Sequence, residues 1–150
     1  MDDVHAAPAR SRTWHLWAVG VVSLVWNAAS CYSQVMVLTH NERYFRAGQL
    51  TPEMVEYFTT RPLWYDVAAN VSVWGGVVAA IGLLMRKSWT VPWVVVSQAA
   101  MGINCIYTLA SSDARKALGA QGSIPSIVLI GLGALLTVYT IRMNRRGLFR

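Results

Sequence analysis

Polar side chains recur along one face of the first apolar stretch of the chain. Residues 14–38 contain no Asp, Glu, Lys or Arg, yet Ser23, Asn27, Ser30 and Gln34 follow one another at spacings of four, three and four. In an α-helix these spacings place the side chains on one face. Amide and hydroxyl groups donate and accept hydrogen bonds, so the stripe indicates either a polar ligand site or contacts with a neighbouring helix.

Further candidates lie in the next two apolar stretches. Asp66 and Asn70 are four residues apart near the start of the second stretch, and Asn104 and Tyr107 lie late in the third. If the first and third helices run outward and the second inward, these groups lie at mid-membrane or in its outer half. The predicted ligand-binding residues are Asn27, Ser30, Gln34, Asp66, Asn70, Asn104 and Tyr107.

These residues predict a pocket that opens outward, is roofed by a short helix over residues 51–60, and offers Tyr32, Trp74 and Tyr107 as stacking surfaces. Amides, hydroxyls and aromatic rings suit a small, neutral, polyhydroxylated solute. A second interpretation stays open, because Asn27 and Asn104 could instead hydrogen-bond to neighbouring helices. Asp66 is costly near a membrane and could serve a ligand, reach water or pair with Arg61.

No catalytic or metal-binding pattern accompanies the polar residues. His5, His15 and His40 are scattered, and the sequence has no Ser/His/Asp or Cys/His arrangement and no phosphate-binding glycine loop. Cys31 and Cys105 lie in apolar segments and are interpreted as small buried hydrophobic residues, with a disulfide as the alternative. We therefore predict a protein that is not an enzyme and needs no cofactor.

Composition and periodicity predict an all-α integral membrane protein. Of its 150 residues, 55% are hydrophobic and only 13% are charged, whereas roughly a quarter of residues are charged in soluble domains. A helix needs about 20 apolar residues to span a bilayer. The predicted spans of the four-helix bundle, within a domain of residues 14–142, cover about 14–38, 64–85, 91–110 and 124–141.

The remaining segments are predicted to be tails and loops. Residues 1–13 read as a disordered tail and residues 143–150 as a basic tail. The longest loop follows the first span, and Thr51-Pro52-Glu53 within it has the residue types of a helix start. This predicts a short amphipathic helix on the membrane surface or capping the bundle. Residues 111–123 are predicted to form the last loop.

The distribution of basic residues predicts the orientation. Eight basic residues fall on the side of both termini, namely Arg10, Arg12, Arg86, Lys87, Arg142, Arg145, Arg146 and Arg150. Five fall on the other side, namely Arg43, Arg46, Arg61, Arg115 and Lys116. The positive-inside rule then predicts a bacterial inner-membrane protein with both termini cytoplasmic. Because the basic residues flank apolar runs, they predict topology and not nucleic-acid binding.

Several local patterns carry a family resemblance. They are Ser23-Leu24 with Trp26-Asn27, Thr51-Pro52-Glu53 with Tyr57-Phe58, Pro62-x-Trp64, a small-residue second span that ends at Arg86, and Ser97 with Tyr107. Over most of its length the chain resembles an uncharacterised family of small proteobacterial four-span membrane proteins, some of them labelled sugar transporters. Family members have Gly and Asp where this chain has Ser30 and Ser33. The resemblance implies the four-span fold.

Two functional hypotheses follow. The first is a non-catalytic, transport-related membrane protein that binds a small polar, sugar-like solute, acting alone or as a homo-oligomer through the small-residue faces of the second and fourth spans. The second is an accessory subunit or assembly factor whose polar stripe docks a helix of an unlike membrane subunit. In both, the lipid bilayer is the main partner.

Overall fold

The computed structural model describes residues 14–149, and within them the chain forms six helices and no β-strand. The predicted tail 1–13 lies outside the described residues. The helices are α1 (Trp14–Leu38), α2 (Glu42–Ala47), α3 (Pro52–Thr60), α4 (Leu63–Met85), α5 (Thr90–Ala110) and α6 (Ser112–Arg145).

Four of these helices, α1, α4, α5 and α6, are long and apolar enough to cross a membrane. They pack as α1 on α4, α4 on α5 and α5 on α6, so α4 and α5 form the centre and α1 and α6 the flanks. This confirms the all-α four-helix bundle, and the chain is a multi-pass membrane protein.

Small residues bring α4 close to both neighbours. A β-carbon built on Gly76 would lie 2.0 Å from Oδ1 of Asn27 on α1, and one on Gly75 would lie 3.4 Å from Cβ of Ser97 on α5. Ser97 also donates a hydrogen bond of 2.7 Å to the backbone carbonyl of Ser72 on α4. Gly75 and Gly76 of the second span therefore serve helix packing inside the chain, and self-association through the second and fourth spans stays a prediction.

The two ends of the bundle differ in character. At the basic end, where α1 begins and α6 finishes, Leu16, Leu83, Met143 and Phe149 form a buried apolar cluster. His15 and Tyr139 share a hydrogen bond of 2.6 Å there, which joins α1 to α6. The predicted basic tail begins within the last turn of α6, which ends at Arg145, and Phe149 of the same segment packs in this cluster.

The opposite end, the loop end, carries α2 and α3. The Oγ1 of Thr51 accepts a hydrogen bond of 3.3 Å from the Met54 amide, which confirms the helix start predicted there. α3 contacts both α1 and α6 and so caps the bundle. α2 lies where only loop was predicted, with Asn41 capping its first turn and Glu42 paired with Arg46.

The largest difference from the sequence prediction is in residues 111–123. This segment was predicted to be a loop but is helical from Ser112 onward. Ser111 starts the helix by accepting a hydrogen bond from the Ala114 amide, and the residues that follow are mostly good helix formers. The glycines were a valid signal at one position, because Gly119 (φ 50°, ψ −132°) interrupts the helix, and α6 therefore consists of a short helix from Ser112 and a long helix that runs to Arg145, joined at a kink.

Candidate solute-binding site

A crevice at the loop end holds two of the predicted ligand-binding residues. It has a volume of about 490 Å³ and lies between α1, α3 and α4, with α2 at its edge. We call it the loop-end crevice. Its polar lining residues are Ser30, Ser33, Gln34, Tyr44 and Arg61, and its aromatic lining residues also include Trp26 and Phe58.

Two lining side chains of this crevice have a buried nitrogen without a hydrogen-bond partner among the described residues, namely Gln34 at Nε2 and Arg61 at Nε, and Gln34 is the uncharged one. Its Nε2 atom is buried and forms no hydrogen bond with the described part of the chain. A buried donor without an acceptor costs roughly 1–3 kcal/mol. The hydroxyl of Ser30, by contrast, donates to the Trp26 carbonyl of its own helix at 2.9 Å, which leaves its oxygen lone pairs to accept. The crevice therefore offers both donors and acceptors.

Arg61 forms the wall of the crevice on the α3 side. It follows α3 directly, and Asp66 lies in the first turn of α4, so the short connection brings the two side chains into an ion pair. Their side chains are only 5% and 17% exposed. The guanidinium also lies over the rings of Phe58 and Tyr65, at 5.5 and 4.9 Å. Asp66 is thus the partner of Arg61 and does not line the crevice.

Tyr107 belongs to an aromatic cluster on the other side of this ion pair. Its ring centre lies 5.0 Å from that of Trp64 and 5.5 Å from that of Tyr65. Tyr65 in turn shares a hydrogen bond of 3.3 Å with the Thr108 hydroxyl. Nearby, burial raises the pKa of Tyr57, in α3, to about 12. The cluster joins α4 to α5, and Tyr107 has a packing role in it.

Asn27 lines a different cavity, deeper in the bundle. This cavity has a volume of about 290 Å³ and lies between α1 and α6 with α4 and α5 beneath it. We call it the lateral groove. Nδ2 of Asn27 donates to the Ser23 carbonyl at 2.8 Å, and its carboxamide lies against Gly76. Trp26 lines both cavities and separates them.

Asn70 and Asn104 line neither cavity. Nδ2 of Asn70 donates to the Asp66 carbonyl at 2.8 Å, within its own helix. Asn104 is buried and its Oδ1 has no partner among the described residues. The structure thus brings Ser30 and Gln34 together in one crevice. Of the other five predicted residues, Asn27 lines the lateral groove, Asp66 pairs with Arg61 and Tyr107 packs in the aromatic cluster. Asn70 and Asn104 lie outside both cavities.

Ser33 and Tyr44 are among the lining residues of the loop-end crevice that sequence reasoning overlooked. Ser33 lies three residues after Ser30 and so shares its helix face, which is a usable signal. Tyr44 lies in α2, whose existence was not predicted. Its ring centre lies 6.1 Å from that of Tyr32, so Tyr32 supports the crevice wall from outside.

The described residues contain no group of three or more His, Cys, Asp or Glu side chains that could hold a metal ion. Cys31 and Cys105 are buried, as predicted, and are not bonded to each other. Comparison of the chain with protein-family models, with curated proteins and with solved structures finds no match.

Proposed function

We propose that this multi-pass protein binds a small, uncharged, hydroxyl-rich solute in the loop-end crevice, without catalysis and as part of a transport process. The observation that carries the proposal is the buried Nε2 of Gln34, which lacks a partner in a crevice lined by other hydrogen-bonding groups. A solute oxygen that accepts from this nitrogen would remove the cost of burying it.

The charge of the crevice favours an uncharged ligand. Among residues 14–149, Arg61 is the one cation in its lining, and Asp66 neutralises it in an ion pair. Trp26, Tyr44 and Phe58 add aromatic surface against which the apolar face of a sugar ring can pack.

The position of the crevice favours a solute that arrives from water. It lies at the loop end, beside the polar segment that contains α2 and α3. We propose that this end faces the periplasm and that both termini are cytoplasmic in the inner membrane, because the basic residues are concentrated at the other end. The solute would then bind from outside the cell.

The proposal is tested by thermal unfolding of the purified protein with a panel of neutral sugars and polyols. A ligand at 100 times its dissociation constant stabilises the folded state by about 2.7 kcal/mol. We expect one of these solutes to raise the melting temperature of the wild type and not that of Gln34→Leu. Gln121→Leu is the matched control, because Gln121 is exposed on α6 and lines neither cavity. Equal shifts in both variants, or no shift in the wild type, would contradict the proposal.

A second function is favoured by the exposure of α1. Only Leu16, Gly20 and Cys31 of its 25 residues are buried, so most of the helix is available to a partner. An accessory subunit that docks an unlike membrane helix along α1 would use this surface. Cross-linking in the membrane distinguishes the two, since a stoichiometric unlike partner on α1 supports the accessory function.

A further inference from the structure

The lateral groove is closed at both ends and open along its side. At the basic end α1 meets α6 through the His15–Tyr139 hydrogen bond and the contact of Leu16 with Met143. At the loop end α3 contacts both helices. Between these points α1 and α6 line opposite walls of the groove. Its opening therefore faces the lipid that surrounds the bundle.

The groove has a polar floor at a depth where water is absent. Ser23 and Asn27 contribute from α1, Ser72 from α4 and Gln98 from α5. Asn27 is 13 residues into α1, or about 20 Å from the basic end at 1.5 Å per residue, and Gln98 is about 12 Å into α5. Both depths fall within a hydrocarbon core of roughly 30 Å.

The Gln98 side chain has an unmet hydrogen bond at this depth. Its Oε1 is buried and has no partner among the described residues. It lies against α6, because a β-carbon on Gly133 would be 2.2 Å from it. Rotation of the carboxamide exchanges its oxygen and nitrogen, so the group can offer an acceptor or a donor to a molecule in the groove.

The walls above this floor are apolar. Val22 and Trp26 stand on the α1 side, and Leu129, Leu132 and Leu136 stand on the α6 side. A sugar would have to cross hydrocarbon to reach the opening, and the headgroup of a phospholipid lies at the wrong depth. An occupant must be soluble in the bilayer and carry a small polar group at one end.

We propose that the lateral groove binds the oxygen-bearing end of an uncharged, lipid-soluble molecule, such as a substituted quinone or an isoprenoid alcohol, which enters from the bilayer between α1 and α6. A carbonyl or hydroxyl oxygen on the ligand would bond to the floor, and its apolar skeleton would lie between the walls. The volume of about 290 Å³ is near the lower end of small-molecule pockets, so the groove holds the end group and the remainder lies in lipid.

The test uses the full chain in lipid nanodiscs and a fully substituted decyl-benzoquinone that carries a photoreactive azide. We expect labelling of peptides from the middle of α1 and of α6, with competition by farnesol and much weaker competition by pristane, a hydrocarbon without oxygen. Labelling that farnesol does not reduce, or that pristane reduces equally, overturns the proposal, because the groove then has no preference for an oxygen-bearing end group.

Two variants separate the groove from the rest of the lipid-facing surface. Leu132→Trp fills the mouth of the groove and should reduce labelling at least fivefold, whereas Leu135→Trp on the same helix should not. Leu132 and Leu135 are 58% and 68% exposed, and only Leu132 lines the groove, so both replacements are tolerated alike by the fold. Equal labelling of the two variants overturns the proposal.

The floor is tested by Ser23→Ala, which removes one hydroxyl without adding bulk. Loss of one hydrogen bond to the ligand should weaken binding by roughly two- to tenfold, and unchanged binding contradicts a role for the floor. Gln34→Leu, which alters the loop-end crevice, should leave labelling unchanged. The experiments can therefore refute the lateral-groove proposal while the solute proposal holds, and they can refute the solute proposal while the lateral-groove proposal holds.

Discussion

The closest packing beside a predicted site residue is that of Asn27 on Gly76, and it can be tested by adding a single methyl group. A β-carbon on Gly76 would lie 2.0 Å from Oδ1 and 2.6 Å from Cγ of Asn27. The carboxamide is held in place because its Nδ2 donates to the Ser23 carbonyl at 2.8 Å. In Gly76→Ala, α1 must therefore move away from α4 or the carboxamide must give up this hydrogen bond.

We expect Gly76→Ala to lower the free energy of unfolding by about 1–2 kcal/mol. Overpacking a well-packed contact costs about 1–3 kcal/mol, and alanine returns roughly 0.5–1 kcal/mol through its higher helix propensity. The assay is reversible unfolding in mixed micelles by sodium dodecyl sulfate, followed by circular dichroism. Gly102→Ala is the matched control, because no atom of the described residues would lie within 4 Å of a β-carbon there, and it should be neutral or slightly stabilising.

The double variant Asn27→Ala/Gly76→Ala decides whether the clash is the cause. Removing the carboxamide alone should cost little, about 0.6 kcal/mol, since its hydrogen bond lies within α1. It also frees the space that the new methyl group needs. The double variant should therefore be more stable than the sum of the two single effects predicts, by about 1 kcal/mol. Strict additivity, or equal stability of Gly76→Ala and Gly102→Ala, would refute the reasoning.

Three further changes test other contacts of the bundle. Arg61→Met should lower the free energy of unfolding by roughly 3 kcal/mol, because it leaves the largely buried carboxylate of Asp66 unpaired. The double variant Arg61→Met/Asp66→Leu should lose less, and equal losses of the two variants in detergent unfolding would contradict this. Burial raises the pKa of Tyr57 from about 10 to about 12, so the contribution of its neutral form to stability is fully present below pH 10 and is lost as the pH rises toward 12. The melting temperature of Tyr57→Phe should therefore depend less on pH between 10 and 12 than that of the wild type. Ser97→Ala removes a buried hydrogen bond from α5 to α4 and should cost about 0.6–1.7 kcal/mol, more than Ser30→Ala, whose hydroxyl bonds only within α1.

The span boundaries were the most predictable part of the fold. The first span was predicted at residues 14–38 and α1 covers Trp14–Leu38, while the second and third begin one residue earlier than predicted. Apolar length and flanking charges decide these boundaries, and both are local in sequence. The short helix over Pro52–Thr60 was predictable for the same reason, because its cap and its first proline are adjacent.

The helical segment before the fourth span was less predictable because charged residues and glycines pointed to a loop. Residues 112–118 are polar enough to leave the membrane and form a short helix of their own, and Gly119 separates it by a kink from the helix that contains the fourth span. The sequence rules treat the end of hydrophobicity as the end of a span. They do not exclude a further helix outside the membrane, and the glycine marks the kink and not a loop.

The sequence predicted that the polar side chains of α1 share one face of the helix, but not that they line two separate cavities. Their spacing places four polar side chains on one side of the helix, which the structure bears out, since Ser23 and Asn27 line the lateral groove and Ser30 and Gln34 line the loop-end crevice. Where the stripe divides depends on Trp26, which lines both cavities and is 60% exposed. No spacing rule reports which side chain will separate two voids.

The contact surface of α1 explains why the stripe lines cavities at all. A helix packed tightly along one face would bury that face, but α1 buries only Leu16, Gly20 and Cys31. The first two anchor its basic end against α4, and Cys31 lies half a span further on. Elsewhere α1 turns Ser23, Asn27, Ser30 and Gln34 toward the bundle, because exposing such polar groups to hydrocarbon would cost several kcal/mol each. These side chains line two voids at different depths, the lateral groove and the loop-end crevice. The polar stripe that α1 keeps away from lipid therefore lines both of the cavities for which we propose ligands.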